Sequence, residues 1–275
     1  MNLFLLAAIV TGVAALGVLL MHAIRRGATQ KKFYEEIERG SGIFAFLGTA
    51  FAVLLAFVVL EAFQNFNDAR SSAETEATDV AVLSRYADYF PADDRDRIVG
   101  GLICYGRAVA NVEWKTMESG QPSPLVQPWV GAFENGIKQL DPKGAKQTTI
   151  FFHMIETDRA RGEARRQRLT EAGRSVPGPV WFILILGAAL TIGIALLFAD
   201  RREPFFVQGA LMAAVCALVT SGLLLVWFLD HPYGDQPGNI RPSEMEKLLV
   251  LVETENPHAT PPCNSAGEPP RPALT

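Results

Sequence analysis

Charge is missing from four long stretches of this 275-residue chain: Met1–Ile24, Gly40–Leu60, Ser175–Ala199 and Pro204–Leu229 contain no Asp, Glu, Lys or Arg. A hydrocarbon layer ~30 Å thick needs roughly 20 apolar residues of helix, so each stretch is long enough to cross one. A soluble single-domain enzyme is thereby excluded. All 25 Lys and Arg and all 29 Asp and Glu fall in the remaining segments, which read as water-facing helical structure. The formal net charge of −4 leaves no basic footprint for nucleic acid.

Cysteine and histidine are scarce as well. The three cysteines, Cys104, Cys216 and Cys263, include no C-x-x-C pair, and Cys216 lies inside the last charge-free stretch. No disulfide framework and no zinc site is readable from them. His22, His153, His231 and His258 are too scattered for a motif such as H-E-x-x-H and read as isolated interfacial or surface groups. G-x-S-x-G, a Walker loop and a local Cys–His signature are also absent, so no enzyme, cofactor or resident metal is expected.

What is present predicts an all-α polytopic membrane protein, two transmembrane hairpins flanking a helical extramembrane domain. Residues 1–60 form the first hairpin, with spans over about 2–24 and 42–60. A cleaved signal peptide carries positive charge ahead of a short apolar core. Here Arg25 and Arg26 follow a long one, so the first stretch is read as a retained span. Residues 61–174 form the helical domain. A helix over Asp68–Tyr89 runs on from the second span and stops at Pro91, and Pro91-Ala-Asp-Asp opens another, with its acids where the helix dipole favours them, to about Glu118. Further helices are predicted over Val126–Leu140 and Ala145–Arg174. The second hairpin is 175–229, with spans over about 179–199 and 205–229. A turn and a short amphipathic helix occupy 230–255, and the proline-rich tail 256–275 is read as disordered.

The second span carries two stripes. Ala45, Thr49, Ala52 and Ala56 form a small-residue row that lets a neighbouring helix approach closely in lipid. Val53, Phe57, Glu61, Asn65, Asp68 and Ser72 form another, apolar in the membrane and polar at its edge. Repeated around a symmetric oligomer, that face gives apolar rings followed by a ring of carboxylates, an arrangement suited to a hydrated cation pathway with a hydrophobic constriction. The plainer alternative makes Val53 and Phe57 ordinary packing residues and Glu61 an interfacial one. The arginines Arg159, Arg161, Arg165, Arg166 and Arg168 allow two readings too, a contact for anionic lipid head groups or a solvated face paired locally with Asp158, Glu163 and Glu171. Trp181 and Trp227 read as interfacial anchors, and Trp114 and Trp129 as core of the helical domain.

Three segments resemble the bestrophin-like family of bacterial membrane proteins. The first is Phe51-Ala-Val-Leu-Leu-Ala-Phe through Asn67-Asp-Ala-Arg, with Glu74 and Glu76 beyond it. The second is Arg165-Arg-Gln-Arg-Leu leading to Val176-Pro-Gly-Pro-Val-Trp. The third is Leu229-Asp-His-Pro-Tyr-Gly with Ile240-Arg-Pro after it. The more distant resemblance to true bestrophins implies a pentameric ion channel whose neck is lined by the second helix, here Val53, Phe57, Glu61 and Asn65. It also implies a post-span turn, here Asp230, Pro232, Tyr233 and Gly234. The dense acidic calcium clasp of those channels is lacking, because only Asp230 and Asp235 lie in the turn and a hard cation takes six or more oxygens. Calcium gating is therefore not carried over.

The expected partners are the lipid bilayer, further copies of the chain and inorganic ions. A non-conducting scaffold and a membrane sensor are the alternatives. The expected location is the bacterial inner membrane. Arg25, Arg26, Lys31, Lys32 and Arg39 in one short link, with Arg201 and Arg202 in the other, place both links in the cytoplasm and the helical domain outside. The arginines from Arg159 to Arg174, and the resemblance to bestrophins, weigh the other way.

Overall fold

A computed structural model describes residues 3–27, 37–117, 121–173, 175–198, 203–234 and 236–270. The described residues are helical with no strand. They comprise α1 (Leu3–Gly27), α2 (Ile37–Ala87), α3 (Ala92–Ala108), a π-turn (Val109–Glu113) running into α4 (Trp114–Met117), α5 (Gln127–Lys138), α6 (Gly144–Glu171), α7 (Gly178–Leu197), α8 (Phe205–Leu229) and α9 (Ser243–Glu255). The chain divides into two compact units. One holds residues 1–65, 174–230 and 235–238, and the other holds 66–173, 231–234 and 239–275. Helix α2 contributes to both. It has no proline and no glycine after Gly48, so nothing in its sequence interrupts it before Pro91.

The first unit contains the four helices long and apolar enough to cross a membrane: α1, the first part of α2, α7 and α8. Their packing depends on missing side chains. A Cβ on Gly187 of α7 would sit 2.5 Å from the Phe51 ring of α2, and one on Gly222 of α8 would sit 2.6 Å from Leu55. Only glycine lets α2 lie this close to both neighbours. Met21, Met212 and Cys216 form a buried cluster between α1 and α8. Every one of the four helices also keeps large apolar residues exposed, among them Phe4, Phe46, Phe182 and Leu218, as helices facing lipid or another copy must.

The second unit has a conventional core. Leu83 of α2, Ile98 and Leu102 of α3, Phe133 of α5, Met154 of α6 and Leu249 of α9 all belong to one buried cluster. The expectation of a disordered tail from Asn256 does not hold for residues 256–270. Pro261 and Pro262 lie over Gly100, the Trp129 indole N–H donates to the Gly267 carbonyl at 2.7 Å, and Cys263 is joined to Cys104 by a disulfide. Gly267 has φ +81°, and a Cβ there would meet the Ala108 nitrogen at 2.2 Å. Its proline content, read as a mark of disorder, describes a segment with few backbone donors; the bridge and the indole hydrogen bond hold it in place of a large apolar surface. Residues 271–275 lie outside the described residues.

Candidate functional site

Helix α2 is amphipathic in an unusual sense: both faces are apolar, and its own chain covers only one. Phe51 and Ala62 are buried, whereas Val53 is 51% exposed and Phe57 68% exposed. Glu61 continues the open face as an exposed carboxylate, and Asn65 is half-buried. Ala45, Thr49, Ala52 and Ala56 are exposed too, about a quarter-turn away. Further along, Asp68 is exposed and Ser72 turns inward, donating through Oγ to the Asp68 carbonyl at 2.7 Å. Over the membrane-crossing part of α2, from Ala45 to Glu61, the two stripes are thus left open side by side.

The post-span turn is built around buried acceptors. Asp230, the C-cap of α8, accepts through Oδ1 from the Ser175 and Val176 backbone N–H groups, both at 2.8 Å, and from the Ser175 hydroxyl at 3.0 Å. Its Oδ2 accepts from the Trp181 indole at 3.2 Å. Asp230 therefore fastens the start of α7 to the end of α8. A coordinated cation would have to displace these donors. Within the second unit, Pro232 accepts from the Ile240 N–H at 2.9 Å, and the buried Tyr233 hydroxyl donates to the Ala69 carbonyl at 2.8 Å. Burial pushes that phenol's pKa up. Gly234 is half-buried. Among the described residues no three His, Cys, Asp or Glu side chains converge as a metal site would require.

The arginine-rich helix does something that neither sequence reading foresaw. Arg168 is fully buried and pairs through Nε and Nη2 with both oxygens of Glu76, while Nη2 also reaches Glu113 at 2.8 Å. Arg165 meets Glu113 at 2.6 Å, and the Tyr105 hydroxyl donates to Glu76 at 2.5 Å. Arg168 also contacts the Met117 sulfur. Two carboxylates and two guanidiniums thus balance in fork-like, two-point contacts, which is how a buried charge is tolerated. Burial pushes the Glu113 carboxyl up, but the Arg165 and Arg168 guanidiniums outweigh it and leave the group below its ordinary value. The π-turn ends on Glu113, the residue aimed into this cluster. Arg161 lies against the Tyr105 and Phe133 rings at 4.9 and 4.7 Å and pairs with Asp158 at 2.8 Å. Of the local pairings expected, Arg161 makes one, with Asp158 three residues before it. Partners 52 to 92 residues away give no spacing signal.

The Cys104–Cys263 bridge was also missed. Setting aside Cys216 with its membrane span leaves two cysteines, which is the signal that was available.

Four membrane-crossing helices, a helical unit inserted between the second and third, and an acidic-Pro-aromatic-Gly turn after the fourth define a multi-pass helical membrane protein. A model of the Bestrophin-like domain matches residues 8–237, and the chain belongs to the bestrophin-like family. Solved structures share the fold. A point variant of a bacterial bestrophin homologue from Klebsiella pneumoniae is 17% identical, with a TM-score of 0.72 over 90% of this chain and 99% of that one. A second variant gives 17% and 0.71 over 92% and 98%, and a further crystal structure of the homologue gives 17% and 0.68 over 94% and 98%. No curated protein matches the chain.

Proposed function

We propose that the protein is a homo-oligomeric ion channel of the inner membrane, most simply a pentamer as the resemblance to bestrophins implies, with α2 lining the neck. The observation that supports this reading is the uncovered face of α2, where Val53 and Phe57 are exposed and are followed by the Glu61 carboxylate. In this reading Val53 and Phe57 form the hydrophobic constriction, Glu61 supplies a ring of negative charge, and Asn65 lies at the polar end. The adjoining row of Ala45, Thr49, Ala52 and Ala56 gives the next copy a surface close enough for helix packing in lipid. Asp230 contributes by fixing the start of α7 on the end of α8, which holds the second hairpin that backs α2.

Electrical recording from purified protein in planar bilayers tests the proposal. Phe57→Ala is expected to widen the neck and raise unitary conductance, and Glu61→Gln to lower cation preference while hardly changing size. Folded oligomers of both variants with unchanged conductance and selectivity would overturn the assignment of α2. Silent bilayers with well-folded wild type would favour the scaffold reading, in which the same face is covered by lipid or by another protein.

A further inference from the structure

The Cys104–Cys263 bridge carries information about the membrane as well as about the tail. Cys104 is buried on α3 and Cys263 lies in the proline-rich segment after α9. Around the bridge the tail's grip is mostly polar. Arg107 donates to the Asn264 carbonyl at 3.3 Å, Asn111 to the Ser265 carbonyl at 3.4 Å, and the Trp129 indole to Gly267. The Arg107 and Asn111 contacts are exposed and exchange readily with water, leaving the covalent bond and the buried indole hydrogen bond to make the attachment durable. Bacterial cytoplasm keeps thiols reduced, while the compartment beyond the inner membrane is kept oxidising.

We infer that the helical unit matures on the oxidising side of the membrane, where a disulfide-donating oxidoreductase joins Cys263 to Cys104 and straps residues 256–270 onto α3. The inference rests on the four-span reading and not on conduction. Sequence charge supports the same side independently. The two short links carry Arg25, Arg26, Lys31, Lys32, Arg39, Arg201 and Arg202, which retain them in the cytoplasm, and a segment between the second and third spans must then emerge opposite. Of the two opposing arguments, the one from the arginine-rich helix is weakened, because Arg161, Arg165 and Arg168 are engaged with carboxylates of their own unit, and the one from bestrophins rests on a likeness at 17% identity, which carries the fold and not the side.

The chemistry is a thiol–disulfide exchange in two steps. Cys263, half-buried and so the more accessible thiol, attacks the oxidoreductase disulfide as a thiolate. A mixed disulfide forms and one sulfur of the oxidoreductase leaves as a thiol. The Cys104 thiolate then attacks Cys263 Sγ and expels the second sulfur. Two electrons and two protons pass to the oxidoreductase, which departs as a dithiol. Cys216, buried within α8, takes no part and remains a thiol.

The test uses the full chain in bacterial membranes, quenched in acid, denatured and labelled with a maleimide polymer that adds a visible mass per thiol. Wild type should show one adduct before reduction and three after. Cys216→Ser should show none before and two after, while Cys104→Ser and Cys263→Ser should each show two in both. A host lacking its extracytoplasmic thiol oxidase should give three adducts from the start. An alkaline phosphatase fused after Thr275 should be active, because it folds only when exported. Three adducts in an oxidase-competent host would remove the strap, and an inactive phosphatase beside an active cytoplasmic reporter at the same site would remove the sidedness. Neither result would touch the channel reading, which stands or falls on conductance.

Discussion

The two units solve opposite problems. In the membrane unit the solvent is as apolar as the side chains, so burying leucine against leucine gains little, and helices associate through close van der Waals contact. The glycines opposite Phe51 and Leu55 answer that need. In the helical unit the solvent is water, apolar burial is a strong driving force, and the core formed around Phe133 and Leu102 is stable enough to enclose Glu76, Glu113 and Arg168. Charge is thus kept out of the membrane-crossing stretches of one unit and sealed inside the other. The comparison predicts that the two units fail for different reasons when disturbed.

The largest effect is expected from Arg168→Met. It leaves Glu76 buried with the Tyr105 hydroxyl in place of its guanidinium and takes one of two guanidiniums from Glu113, a loss of about 3–5 kcal/mol for breaking a buried ion pair. Thermal unfolding in detergent measures it, with Arg70→Met as the control. The Arg70–Glu74 pair is solvent-exposed and spaced i,i+4, and its removal should be hardly visible. Acid should reproduce part of the loss. Because the Glu113 carboxyl is held below its ordinary value in the folded unit, its stabilisation is fully present above the unfolded value of about 4.3 and disappears as pH falls through the lower folded value. Glu113→Gln should therefore lower stability at neutral pH and flatten the decline below about pH 4. An unchanged acid limb in that variant would show that other carboxylates govern it.

This contrast also explains what was legible beforehand. The part of a helix that crosses a membrane has to be apolar throughout, so the four spans and the all-helical class are written locally in the sequence. The charge cluster is not local. Arg168 finds Glu76 at a separation of 92 residues, whereas the rule applied to its neighbours reaches only three or four. The tail was misread because low apolar content was taken for lack of structure, when a bridge to α3 supplies the attachment. The candidate neck was legible as a stripe of residue types, but its surroundings were not. Spacing alone cannot say that Phe51 and Ala62 are covered while Val53 and Phe57 are left open.

A middle-sized effect should come from cutting the bridge. Cys263→Ser is expected to cost about 2–4 kcal/mol, toward the lower figure, because α7 and α8 as inserted spans already shorten the loop that the bond closes. Thermal unfolding of the variant, compared with wild type treated with a reductant, measures the same quantity twice, and disagreement between them would implicate the substitution rather than the bond. In the membrane unit, Gly187→Ala should cost about 1–3 kcal/mol by forcing a Cβ against the Phe51 ring. Gly193→Ala, on the same helix with open space around it, should cost nothing measurable. Equal losses at the two glycines would mean that close packing against α2 is not what Gly187 supplies, because helix propensity favours alanine at both sites and acts in the opposite direction.

The smallest effect on stability is expected at the position with the largest expected effect on conduction. Phe57 is 68% exposed within its chain, so truncation to alanine leaves little cavity behind. Surface changes of this kind usually fall within about 0.5 kcal/mol, against roughly 3–5 kcal/mol for a buried phenylalanine. Thermal unfolding of Phe57→Ala, native mass spectrometry of the same sample and single-channel recording together separate three situations. Unchanged unfolding and unchanged assembly with altered conductance place the ring beside the pathway. Unchanged unfolding with loss of the oligomer places it in the contact between copies, and the neck must then use another face of α2. A large fall in melting temperature with the oligomer intact would place it in a packed environment that the isolated chain lacks, and would count against an open neck at this position.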